Sequence, residues 1–135
     1  MAPDDDVCDK LVSALSYVLG TSIFIGPERP SSAVAPIIPE VAVFVLSTGG
    51  PAPVPYCGTG TSFYRAKVQV CVRDALQSFS NGQTRARAVL AALHGATITG
   101  YTYCLAGSSE PDYLGLNDSG QPRWGLTFEL ATEQA

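Results

Sequence analysis

Histidine occurs once in the 135 residues, as His94, and tryptophan and methionine once each. That scarcity limits the chemistry first. A nucleophile activated by an imidazole, or a His-rich metal site, has only His94 to draw on. His94 stands in Leu93-His94-Gly95, where a helical pattern stops. There it is expected to cap the last carbonyls or meet the negative end of the helix dipole. The cysteines Cys8, Cys57, Cys71 and Cys104 never approach the C-x₂-C spacing of a zinc site. They are expected to be reduced thiols: the start, MAPDDD, is acidic where a secretion signal is basic, and a core of this size needs no staple. No catalytic residue, metal or cofactor is expected.

Charge is also scarce, at 15% of residues, with 12 acidic against 8 basic and a formal net charge of −4. A dedicated DNA or RNA binder shows a basic excess instead, so no specific nucleic-acid binding is expected. The longest apolar runs, Val41 to Leu46 and Ala88 to Leu93, fall far short of the ~20 residues that span a bilayer, so no membrane partner is expected either. A hydrophobic content of 46% suits a globular chain, and its length suits one domain, residues 1–135.

What is present reads as alternating elements. Asp4, Asp5 and Asp6 are placed to cap a first helix, in which Val7, Leu11, Leu15 and Val18 recur at helical spacing and Gly20 supplies the stop. Ser22 to Gly26 is a short strand candidate. Pro27, Pro30, Pro36 and Pro39 then forbid a helix interior or central strand, so Pro27 to Pro39 is expected to be an extended loop. Val41 to Thr48 reads as a strand buried on both faces. Pro51 to Pro55 is expected as extended chain, and Cys57 to Gly60 as loop.

From Ser62 to Asp74 one face carries Tyr64, Ala66, Val68, Val70 and Val72, and the other Arg65, Lys67, Gln69 and Arg73, interrupted by Phe63 and Cys71. That is a strand with one face on a core. Ser80-Asn81-Gly82 is expected to break the chain before a second helix, Gln83 to His94, with Ala86, Val89, Leu90 and Leu93 inward and Arg85 and Arg87 outside. Thr97 to Leu105 and Arg123 to Ala131 alternate as two further strands. The polar stretch between them, Ala106 to Pro122, is too long for a simple connection and is expected to be a long hairpin loop. The order α-β-β-β-α-β-β describes an α+β fold, two helices on one face of a largely antiparallel sheet.

Motifs of enzymes are missing. Gly58-Thr59-Gly60-Thr61 opens like a dinucleotide loop, but no third glycine follows, and a strand stands where a helix should. There is no Walker lysine, no G-x-S-x-G and no H-E-x-x-H. Glu110, Asp112 and Asp118 lie near glycine and proline, where acids usually form solvated turns.

Four stretches, in order, carry a resemblance. They are the opening helix leading into Phe24-Ile25-Gly26-Pro27, and the strand ending Leu46-Ser47-Thr48-Gly49-Gly50-Pro51. Next come Val68-Gln69-Val70-Cys71-Val72-Arg73 with the alanine- and arginine-rich helix after it, and then Pro111 to Gly120 leading into Trp124-Gly125-Leu126-Thr127-Phe128-Glu129-Leu130. Together they make the chain resemble the tail terminator and minor capsid (head-to-tail joining) proteins of long-tailed bacteriophages. It departs from them in a longer proline-rich loop, Pro27 to Pro39, and in Gln121-Pro122-Arg123, where an arginine directly after the turn glycine is expected.

The resemblance implies a structural virion protein, made and assembled in the host cytoplasm. It implies a ring of six copies that ends the tail tube and meets the head connector or stopper protein, with DNA free to pass through the lumen. The residues add a candidate assembly interface. Tyr113 and Leu114 are apolar in a polar stretch, and Glu110, Asp112 and Asp118 oppose Arg65, Lys67 and Arg73 in charge. The loop of one copy is thus expected to reach a neighbour or the tube. The alternatives are a solvated loop whose Tyr113 and Leu114 fold back onto their own core, basic residues on a merely solvated face of a strand and a helix, a monomeric adaptor, and a small monomeric ligand-binding domain or enzyme using loop 106–122 as a lid.

Overall fold

The computed structural model describes residues 2–34, 37–56, 58, 60–76 and 78–134, so Pro36, Cys57 and Thr59 lie outside the described residues. The elements are α1 Pro3–Leu15, β1 Ile23–Ile25, β2 Ala42–Gly49, β3 Val54–Pro55, β4 Ser62–Arg73, α2 Phe79–Leu93, β5 Tyr103–Ala106, β6 Asp112–Leu116 and β7 Pro122–Gln134. One seven-stranded sheet runs β1-β2-β4-β7-β5, with β3 added on β4 and β6 on β7. Every pairing is antiparallel except β1 on β2. The α+β class and the two helices on one face hold.

Alternation along the strands decides the layers. Val43 and Val45, then Val68, Val70 and Val72, then Trp124, Leu126, Phe128 and Leu130 point to one face, where Val7 and Leu11 of α1 and Ala86, Val89 and Leu93 of α2 cover them. Burial of each such large side chain contributes roughly 1.5–3 kcal/mol, so this layer dominates the stability. The opposite face, here called the outer face, carries a second small cluster of Phe24, Ile38, Ala42 and Phe44, with Cys71 against it. Strand β2 is therefore buried on both sides, as its unbroken apolar run implies.

Several boundaries differ from the sequence reading. The first helix ends at Leu15, because Ser16 turns left-handed at φ 60°. Val18 is therefore off the helix and 57% exposed, held in a turn where its N–H donates to Ser22 Oγ at 2.8 Å. Asp4, Asp5 and Asp6 lie inside the first turn, with Pro3 leading it, and the N-cap is Ala2, which has no polar side chain to cap with. The aspartates lie at the positive end of the dipole, and Asp4 Oδ1 also accepts from Asp5 N–H at 2.9 Å and Asp6 Oδ2 from the Tyr101 hydroxyl at 2.6 Å. Ser80-Asn81-Gly82 does not break the chain: α2 starts at Phe79 and runs through it. Thr97 to Tyr101 is not strand. Tyr101 N–H donates to Ile98 O at 3.0 Å around Gly100, whose φ is 90°, and only Tyr103–Ala106 pairs with β7.

The stretch 106–122 is not one loop either. Within it, β6 pairs with the first half of β7, while β5 pairs with the second half on the same edge. Only residues 107–111 and 117–121 remain as connections.

Candidate assembly surface

The open part of the outer face is built by β4, β7 and β5. Arg65 and Lys67 of β4 stand exposed there, opposite Ala131 and Glu129 of β7. Neither has an ion pair among the described residues. Beside them Tyr103 donates its hydroxyl to Glu129 at 2.9 Å. Desolvation and that bond raise the Tyr103 pKa, with Arg65 opposing. Arg65 and Lys67 thus form an exposed basic patch beside Glu129, the carboxylate that faces Lys67 across β4 and β7.

Arg73 does not belong to it, which corrects the sequence reading. Its side chain is fully buried, because the proline-rich loop folds across the C-terminal end of β4. Arg73 Nε donates to Glu40 O at 2.9 Å and Nη2 to Pro39 O at 2.6 Å, while Nη1 donates to Arg29 O. Glu28 pairs with Arg73 at 3.5 Å and with Arg123 at 3.1 Å, and the guanidinium lies over the Phe44 ring at 5.1 Å. A guanidinium offers five donors in one plane, enough to gather three carbonyls of an extended loop. It is a clamp on that loop, not a contact.

The acids of the stretch 106–122 separate as well. Glu110 pairs with Arg87 of its own chain at 3.0 Å, both exposed. Asp112 is exposed at the start of β6, and Asp118 in the turn beyond it. That turn is closed by Asn117 Oδ1, which accepts from Ser119 N–H at 3.0 Å and Gln121 N–H at 2.9 Å. Gln121 then reaches Ser31 Oγ at 3.1 Å, so the turn and the proline-rich loop are joined. Glu28, Ser31, Asn117 and Gln121 were not picked out from the sequence. Polar residues among prolines and turn formers carry no periodic signal.

Tyr113 and Leu114 point to opposite faces at a register shift in β6. Tyr113 packs its ring on Phe79 at 5.2 Å and Trp124 at 5.5 Å, on the helix side. Leu114 leans over Gly125 on the other. Both remain nearly half exposed, at 48% and 43%. The side chains thus rest on their own chain and still present apolar surface.

Between the end of α2 and residues 106–110 lies an open cleft of about 740 Å³ that includes Leu90, Ala91, His94 and Glu110. His94 Nδ1 accepts from Ala106 N–H at 3.0 Å. The imidazole therefore ties α2 to β5 instead of capping carbonyls. Among the described residues no group of three or more His, Cys, Asp or Glu could hold a metal ion. Cys8, Cys71 and Cys104 are free, and desolvation raises each thiol, Cys71 and Cys104 to about 11.

The described residues thus form a two-layer α+β fold with an open charged sheet face and a half-exposed edge strand. A family model described as "Bacteriophage tail terminator protein" matches residues 11–134. The chain belongs to that family, one of structural phage tail proteins and not of enzymes. Among solved structures, a chain of the "Virion of native gene transfer agent (GTA) particle" is similar in fold. Its TM-score is 0.62 at 15% identity, covering 95% of this chain and 92% of that one. No curated protein matches the sequence.

Proposed function

We propose that copies of this chain close into a ring, six in number, which stops growth of the tail tube and presents its other side to the head connector or stopper protein. Family membership supports the tail role, and the sequence resemblance supports the ring. The observation that carries the assembly reading is β6, exposed along nearly all its length on the open edge of the sheet. An edge with Asp112, Leu114 and Leu116 uncovered meets what an adjacent copy offers on its outer face, where Arg65 and Lys67 are unpaired. Asp118 adds a second carboxylate at that edge. Of the eight interface residues read from the sequence, Arg73 drops out through burial, and Glu110 is held by Arg87. DNA passes through the lumen without sequence-specific contacts, and assembly takes place in the host cytoplasm.

Native mass spectrometry across micromolar concentrations, with negative-stain images of protein added to polymerising tube subunits, tests this. Six-copy rings at tube ends and tubes of arrested length are expected. A single-copy species at every concentration, with tubes growing unchanged, would sink the proposal.

A further inference from the structure

Three arginines stand at the end of the sheet where the proline-rich loop crosses it, and one paired carboxylate serves them. Glu28 Oε2 accepts from Arg73 Nη1 at 3.5 Å, and Glu28 Oε1 from Arg123 Nη1 at 3.1 Å. Arg29 forms no ion pair among the described residues, and neither does Asp118, the second acid beside them. Three cations against two carboxylates leave one positive charge in excess.

Two of these guanidinium groups are little used. Each carries five N–H donors. Among the described residues the Arg123 side chain makes one hydrogen bond, the one to Glu28, and its buried Nε has no acceptor. A buried donor left without an acceptor is costly, so an acceptor brought to this fork is favoured. Arg123 Nη2 is also without a partner but is not buried, in a side chain 28% exposed. Arg29 is exposed. It lies over the Phe24 ring at 5.3 Å and gives one long bond, from Nη2 to Ile25 O at 3.5 Å.

Arg29 and Arg123 line a pocket of about 270 Å³ between the start of the proline-rich loop and the turn after β6, and Pro30 and Leu116 are its apolar lining. The two sides are braced. Asn117 Oδ1 closes the turn, and Gln121 Nε2 donates to Ser31 Oγ across to the loop. The pocket therefore keeps its shape before a ligand arrives, which lowers the cost of binding.

We infer that this pocket binds an aliphatic carboxylate, held by Arg29 and Arg123. A single excess charge suits a monoanion. The planar fork of a guanidinium matches the two oxygens of a carboxylate, and Pro30 and Leu116 suit a short alkyl stem. A free short-chain acid and a glutamate side chain of another protein offer the same group. The inference stands apart from the ring reading and needs only the folded chain.

The test is a titration of the full chain with butyrate, followed by proton–nitrogen NMR, with butyramide at equal ionic strength as the uncharged control. Butyrate is expected to give saturable shifts at the amides of Asn117, Asp118 and Ser119, with a dissociation constant on the order of 1–10 mM for so small a ligand. Arg29→Ala should weaken binding about tenfold, the worth of a hydrogen bond to a charged group. Asp118→Asn removes a repelling charge and should tighten it about two- to threefold. Equal shifts with butyramide, or wild-type affinity in Arg29→Ala, would overturn the site. Should Arg29→Ala fail to fold, Asp118→Asn decides by sign, since Asp118 is exposed and in no ion pair among the described residues; affinity that does not rise overturns the site. A blocked Gly-Glu-Gly peptide separates the sources. Displacement of butyrate by the peptide supports a protein side chain as ligand, and butyrate that binds undisturbed supports a free acid.

Discussion

Gly82 of α2 lies against the indole of Trp124, so close that a Cβ built there would stand 2.6 Å from Cη2 and 3.0 Å from Asp74 Cβ. The glycine is there for approach and not for conformation, since it sits within a helix. Gly82→Ala is expected to destabilise by about 1–3 kcal/mol through overpacking, although alanine is the better helix former by about 1 kcal/mol. Urea unfolding would show a lower midpoint at unchanged slope. An unchanged midpoint would mean that the indole moves aside without cost.

Arg73 holds the loop from beneath. Arg73→Leu leaves the carbonyls of Arg29, Pro39 and Glu40 without their donor and is expected to cost about 3–5 kcal/mol, as for one partner removed from a buried pair. Arg73→Lys is expected to recover little, because an ammonium is a point charge and cannot serve carbonyls spread around a plane. Equilibrium unfolding of both variants checks this. Stability of the lysine variant close to wild type would refute the clamp.

The thiols give a pH dependence of known sign. Cys71 and Cys104 are raised from 9.0 to about 11, chiefly by desolvation. A raised acid pKa means that the folded state holds its protons longer. The resulting stability is complete below pH 9 and is lost as pH climbs towards about 11, where the unfolded thiols have already ionised. Stability is therefore expected to fall over that interval, and less steeply with Cys71→Ala and Cys104→Ala. At pH 8 a thiol reagent should leave the buried Cys8 and Cys104 untouched until urea is added, and should reach the half-buried Cys71 sooner. Prompt labelling of Cys8 or Cys104 in native protein would contradict the burial.

On the open sheet face, Arg65→Glu with Lys67→Glu breaks no ion pair among the described residues but sets a carboxylate opposite Glu129, so a loss of only about 0.2–1 kcal/mol of stability is expected. Ring formation should be lost. Arg87→Ala breaks an exposed pair whose worth is about 0.2–1 kcal/mol and should leave assembly intact. Native mass spectrometry of the variants separates these outcomes, and rings from the doubly reversed variant would exclude the face as a contact.

The same basic pair bears on nucleic acid. Fluorescence anisotropy with short duplexes is expected to show no sequence preference and, at physiological salt, weak binding, given the net charge of −4. A marked preference for one duplex would reverse that expectation.

The elements most legible in the sequence were those whose apolar period runs unbroken. Val68, Val70 and Val72 announce β4, Trp124, Leu126, Phe128 and Leu130 announce β7, and Ala86, Val89 and Leu93 announce α2. Elements set by single turns were not. Ser16 ends α1 in a left-handed conformation that non-glycine residues seldom adopt, and Gly100 cuts β5 short. The edge strand β6 has mixed composition because an edge position asks little of side chains, so it reads as loop. The candidate site was half legible. Arg65, Lys67 and Asp112 are exposed as their polarity suggests, whereas nothing in the sequence separates Arg73 from Arg65.

By itself the sequence determined the α+β class, which strand faces meet the helices, and the family, because periodicity and motif order are properties of the chain read along its length. Only the tertiary structure decided which charges are free. Arg65 and Arg73 occupy the same face of the same strand. A loop crosses one end of that strand and leaves the other open, and burial follows from what lies across a residue in space, not beside it in sequence. The same holds for Tyr113, whose place against Phe79 and Trp124 exists only once β6 and β7 have paired.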